Sequence, residues 1–138
     1  MITEKSCGVI VYTKENGNIQ YVIVSSQEGI YGFPKGHTEG NESEIETALR
    51  EVTEETGLTV KLIPRFRIED TYTFIRNDEI RQKNIVYFLG EYSNQTPIAQ
   101  DAELRGVSLM SYETAISVFQ FDSSKRLLTE AHNFLMQL

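Results

Sequence analysis

Tryptophan is absent from this 138-residue chain, and cysteine, histidine and proline number only one, two and three. With Cys7 alone, no internal disulfide and no cysteine-built zinc site can form, which fits a reducing, cytoplasmic setting. No apolar run approaches the ~18–20 residues that a membrane-spanning helix needs, so no membrane partner is expected. The opening MITEKSCGVIVY mixes charges with a short β-branched run, which is not the pattern of a secretory leader. Repeats, linkers and low-complexity tracts are also missing. The chain reads as one domain over residues 1–138, with enough apolar residues for a core.

What is abundant is acid, in one place. Between Gly36 and Leu58 stand seven glutamates (39, 42, 44, 46, 51, 54 and 55) against one base, Arg50, so the window carries −6 of the net −7. An acidic chain is a poor general binder of nucleic acid. A local acid patch can hold cations and, through them, phosphates.

Periodicity organises the rest. The β-branched runs 6–13 and 20–26 flank Asn16-Gly17, a hairpin signal. A loop follows in QEGIYGFPKGHTEGNE. Asn41 with Glu44 three residues on predicts an N-cap and capping box for a helix ending near Thr56, before Gly57. On that helix Ile45, Ala48, Leu49 and Val52 form the expected core stripe, with Glu44, Glu51, Glu54 and Glu55 as a separate acid ridge. Strands are expected in LTVKLIP, RFRIEDTYTFI and KNIVYFLGEY, the latter two joined around Asn77-Asp78. A loop at 93–106, a strand GVSLM, and helices from Ser111 and Ser123 complete the chain. The last helix buries Leu127, Leu128, Ala131, Phe134 and Leu135. The order β-β-α-β-β-β-β-α-α predicts a mixed α/β or α+β sandwich.

The stretch REVTEETG (50–57) is costly as a helix end. Glu51, Glu54 and Glu55 crowd one face, at ~0.2–0.5 kcal/mol per like-charged pair. They also sit at the negative end of the helix dipole, at roughly 0.3–1 kcal/mol each. A divalent ion would turn that repulsion into binding. Carboxylate oxygens suit Mg²⁺ or Mn²⁺, and Mg²⁺ commonly joins carboxylates to phosphate oxygens. Such a site polarises a phosphoryl group and lowers the pKa of a water. Arg50 is placed to fix one carboxylate by a bidentate contact.

The segment GHTEGNESEIETALREVTEETGL resembles the Nudix box, with Gly36, Glu42, Arg50, Glu51, Val52, Glu54, Glu55, Gly57 and Leu58 filling every defined position. The resemblance implies a Nudix-type mixed β-sheet sandwiched between helices and hydrolysis of a diphosphate linked to a further group. It implies metal ligation by the Gly36 carbonyl, Glu51, Glu54 and Glu55, with Arg50 in support and Glu54 as ligand or base. The lead-in YGFPKGH, the CGVIVY and KNIVYFLGEY strands and the closing LLTEAHNFL are similar to the asymmetrically cleaving diadenosine tetraphosphate hydrolases. That likeness implies a nucleoside polyphosphate substrate such as diadenosine tetraphosphate, and a monomer or homodimer. It also implies phosphate contacts from Lys35, His37 and Lys83, base stacking by Tyr72 and Phe121, and Glu103 as loop ligand or base. Glu42 is expected to anchor the helix end. Tyr31, Phe33, Gly40-Asn41 and Leu109 depart from the subfamily pattern, which leaves other substrates open. These are a triphosphorylated RNA 5′ end, a diphosphoinositol or damaged nucleotides; a Nudix-fold module that senses a nucleotide without cleaving it is the non-enzymatic alternative.

Overall fold

In the computed structural model, which describes residues 1–138, Asn16 and Gly17 both adopt left-handed backbone (φ 51° and 83°). Two such residues make the tight turn whose twist matches a hairpin. They join β1 (Ile2–Glu15) to β2 (Asn18–Ser26). Two short strands follow, β3 (Tyr31–Gly32) and β4 (Lys35–His37), and then helix α1 (Glu44–Thr56). Beyond it lie β5 (Lys61–Leu62), β6 (Ile68–Arg76), β7 (Glu79–Glu91) and β8 (Leu104–Met110), then α2 (Tyr112–Val118) and α3 (Asp122–Met136). Asn77 and Asp78 repeat the left-handed pair between β6 and β7.

The strands form one mixed sheet built around β1. One edge of β1 runs parallel to β7, from Ile2 opposite Arg81 to Tyr12 opposite Glu91. Its other edge is shared: β4 pairs with Ser6–Gly8, and β2 with Tyr12–Glu15, both antiparallel. β8 and β3 extend β2, while β6 and β5 extend β7.

Side chains alternate across a strand, so each sheet face collects its own core. Val9, Val11, Val86 and Phe88 pack against Ala48 and Val52 of α1. On the opposite face, Ile10, Tyr12, Ile85, Tyr87 and Leu89 pack under Ala115 of α2 and Leu127, Leu128, Ala131 and Leu135 of α3. The sheet is therefore sandwiched between helices, as the sequence implies.

Four details differ from the sequence reading. The helix cap is Ser43, not Asn41; its hydroxyl accepts from the Glu46 N–H (3.1 Å) and Glu46 accepts from the Ser43 N–H (2.9 Å). Ile45 is exposed, Leu49 is only half-buried, and the packed face of α1 instead includes Thr47, Ala48, Glu51, Val52 and Thr56. The acid ridge is thus partly turned into the protein. Finally, β3 and β4 occupy what reads as loop, and Phe134 is only partly buried at the core's margin.

Candidate active site

Gly57 ends α1 in the left-handed conformation (φ 75°), its N–H bonding the Thr53 carbonyl. No basic residue lies in the last helical turn to offset the dipole or the acids. Pairing of β4 with β1 brings the backbone of Lys35 and Gly36 against this turn. The Lys35 N–H donates to Glu55 Oε1 at 3.1 Å. The Glu51 carboxylate lies directly against the Gly36 α-carbon, in space that a Cβ would fill. Only glycine allows that approach.

Burial sets the electrostatics. Glu51 is only 8% exposed. Desolvation, opposed by the Arg50 charge and helped by a hydrogen bond and charge repulsion from Glu54 and by Asp101, pushes it up to about 7. Glu55 is likewise pushed up to about 7, chiefly by burial; the Lys35 N–H works against the shift, while Glu51 and Asp101 add to it. These are carboxylates short of positive charge, the donor chemistry that suits a hard divalent cation. As they stand, no three acids converge in ligating geometry.

Arg50 explains part of that. Its Nε and Nη2 donate to the two Glu42 oxygens at 2.7 and 3.0 Å, Nη1 donates to Glu54 Oε2 at 3.0 Å, and Nη2 also reaches the His37 carbonyl at 2.9 Å. Glu42 in turn accepts from the Glu39 N–H and the Thr47 hydroxyl. These donors, Arg50 first, hold Glu42 at about 2. Glu42 thus anchors the loop and first turn of α1, as expected. Glu54 stays half-exposed at the rim, next to Glu51.

Next to this acid wall opens a cleft of about 740 Å³. Lys35, Gly36, His37, Glu51 and Glu55 line one end, and Tyr72, Lys83, Glu103 and Phe121 also line it. Arg50 and Glu54 lie outside the lining. Lys83, opposite Tyr72 on the β6–β7 ladder, is depressed by burial and by the nearby Lys35 charge. Phe121 and Tyr72 leave about half of each side chain uncovered (54% and 45%). His37 is exposed, and its backbone carbonyl is what Arg50 holds.

Two acids in the cleft were not singled out in the sequence. Asp101, two residues before Glu103, accepts from the Glu103 N–H at 2.8 Å, and it is Asp101 whose charge acts on both Glu51 and Glu55. The acid pair in QDAEL was its visible signal. Asp70 also lines the cleft, and nothing local in RIEDTY marks it.

The NUDIX domain family model matches residues 3–131. The chain belongs to the Nudix hydrolase family. Bis(5′-nucleosyl)-tetraphosphatase [asymmetrical] of Mus musculus is 30% identical over 143 residues, covering 95% of each chain. The Sus scrofa protein of the same name is 28% identical and covers 97% of each. Among solved structures, the Caenorhabditis elegans Ap4A hydrolase binary complex superposes with a TM-score of 0.84 at 22% identity, covering 98% of this chain and 99% of the other. The NUDIX domain of Shewanella oneidensis NrtR, complexed with ADP ribose, gives 0.75 at 17% identity, covering 98% and 90%. The two structural likenesses establish the Nudix fold. No helix is long and apolar enough to cross a membrane.

Proposed function

We propose that this Nudix hydrolase splits a nucleoside polyphosphate, cleaving diadenosine tetraphosphate asymmetrically to ATP and AMP. The observation that carries the reading is the make-up of one cleft: desolvated acids at one end, with two lysines and two half-exposed aromatic rings along the same lining.

Glu51, Glu54 and Glu55, with the Gly36 carbonyl and Glu103, are the donors that would hold Mg²⁺ or Mn²⁺. Such an ion, when bound, polarises the phosphoryl oxygens and lowers the pKa of a water. The chain's own groups do the remainder. Lys35, Lys83 and His37 meet the polyphosphate as cations or donors and offset its charge. Tyr72 and Phe121 offer faces on which an adenine stacks, worth about 1–3 kcal/mol per base. Arg50 fixes the Glu54 rotamer. Glu54 or Glu103 takes the proton as the water oxygen bonds to phosphorus and the bridging P–O bond breaks, the leaving phosphate carrying off the electron pair. Likeness to the mouse and pig tetraphosphatases over 95% and 97% of each chain supports the substrate choice.

The test is hydrolysis in ¹⁸O-water with Mg²⁺ or Mn²⁺, offering diadenosine tetraphosphate, triphosphorylated RNA and a diphosphoinositol. ATP and ¹⁸O-labelled AMP are expected. Turnover of RNA or inositol alone overturns the substrate assignment. Binding without turnover of any of the three makes the chain a nucleotide-sensing module.

A further inference from the structure

Asp70 lines the cleft from β6, three strands across the sheet from β4. It is two residues before Tyr72 on β6, so both project from the same sheet face. Its side chain is only 14% exposed. Arg126, its ion-pair partner, is half-exposed and stands 3.8 Å away, beyond hydrogen-bonding distance; it donates instead to the Glu69 carbonyl at 3.3 Å. The Asp70 carboxylate thus takes no hydrogen bond from a protein donor, which leaves its acceptor oxygens for a ligand in the cleft.

The sheet register shows where that ligand would run. Asp70 is opposite Ile85, Ile85 is opposite Ser6, and Ser6 is opposite His37, so these four form one row from β6 to β4. The Ser6 hydroxyl, fully buried and lining the cleft, also has no partner. Strands lie about 4.8 Å apart, so the row spans roughly 14 Å. That distance suits a nucleoside at the Asp70 and Tyr72 end with its phosphates directed toward Lys83, Lys35 and the acids.

We propose that Asp70 is a substrate-reading residue, whose carboxylate accepts a hydrogen bond from a donor on the nucleoside stacked against Tyr72. The donor is an exocyclic amine of the base or a ribose hydroxyl. This rests on the nucleoside-polyphosphate reading above and adds a specificity residue to it. A stacked ring alone accepts any base, whereas a carboxylate acceptor beside it favours a ligand that carries the matching donor.

Calorimetric titration of AMP, 2′,3′-dideoxy-AMP and ribose 5-phosphate into the metal-free chain tests it. Asp70→Asn, which keeps the side chain's size, is expected to weaken AMP binding about tenfold or more. Arg126→Ala leaves it within about twofold. If the base is read, the Asp70→Asn loss persists with dideoxy-AMP and vanishes with ribose 5-phosphate; if the ribose is read, the pattern reverses. Equal AMP affinity in wild type and Asp70→Asn overturns the inference, as does an Arg126→Ala loss equal to that of Asp70→Asn, which would make Asp70 an ion-pair partner only. Failure of wild type to cleave diadenosine tetraphosphate, with the Asp70→Asn defect in AMP binding intact, would remove the proposed substrate and leave the Asp70 assignment standing.

Discussion

Gly36 and Glu51 touch across the β4–α1 junction so closely that the glutamate carboxylate occupies the place of a side chain on residue 36. Gly36→Ala should therefore displace Glu51 without disturbing either core. Turnover is expected to fall about a hundredfold, the scale of a 1 Å misplacement in a catalytic constellation, while circular dichroism stays unchanged. Wild-type kcat/KM in this variant would show that the Glu51 position is not critical.

Glu54 is half-exposed and its ion pair is with Arg50, so neutralising it costs the fold little. Glu54→Gln should cut kcat by orders of magnitude at a nearly unchanged melting temperature. Near-normal turnover with intact circular dichroism would take Glu54 out of the mechanism.

Arg50 binds Glu42, Glu54 and the His37 carbonyl at once, which a point-charge ammonium cannot reproduce. Arg50→Lys is expected to lower metal affinity or activity by about 10–100-fold, the usual cost of losing an outer-shell partner. A Mn²⁺ titration followed by electron paramagnetic resonance reads the affinity directly. Unaltered Mn²⁺ binding and turnover would argue that the clamp is dispensable.

The acid wall makes a signed pH prediction. Glu51 and Glu55 are raised from 4.5 in the unfolded chain to about 7 in the fold. Between those values the native state holds protons that the unfolded chain has released, so stability falls as pH rises from about 4.5 to 7. Glu44 has the opposite sign: held at about 2 by Arg67 and Lys5, it contributes stability above about 4.5 that is lost as pH falls toward 2. Metal-free melting temperature should thus decline from pH 5 to 7.5. Millimolar Mg²⁺ or Mn²⁺ should raise it most at the upper end, where the acids are ionised, by an amount set by mass action. A melting curve that ignores both metals at pH 7.5 would contradict the metal role of these glutamates.

Local backbone chemistry was what the sequence displayed best. Asn16-Gly17, Asn77-Asp78 and Gly57 each need φ above zero, and each marks an element boundary where expected. The acids of α1 were legible because their charge conflicts with a helix end. Their burial was not, since it depends on β4 pairing with Ser6–Gly8, a contact between segments some thirty residues apart. The same holds for Asp70 and Asp101, which meet the cleft only through the β6–β7 ladder and the loop after β7. Ser43 takes the place of Asn41 as cap: Glu46 completes its capping box, while Glu44, the partner Asn41 would need, is committed to Lys5 and Arg67. Ile45 is exposed, and Thr47 takes an inward place where its hydroxyl donates to Glu42 and the Ser43 carbonyl.

The parallel pairing of β1 with β7 has a consequence for how the cleft comes into being. Ser6 and Lys83 belong to its lining, yet their strands meet only when a segment near the start of the chain finds partners some eighty residues later. Helix α1 and the β1–β2 hairpin can form while the chain is still emerging from a ribosome. The floor of the cleft cannot, because loops of that length must close first. Nascent chains that end between residues 58 and 91 should carry the whole glutamate signature and still lack a complete cleft.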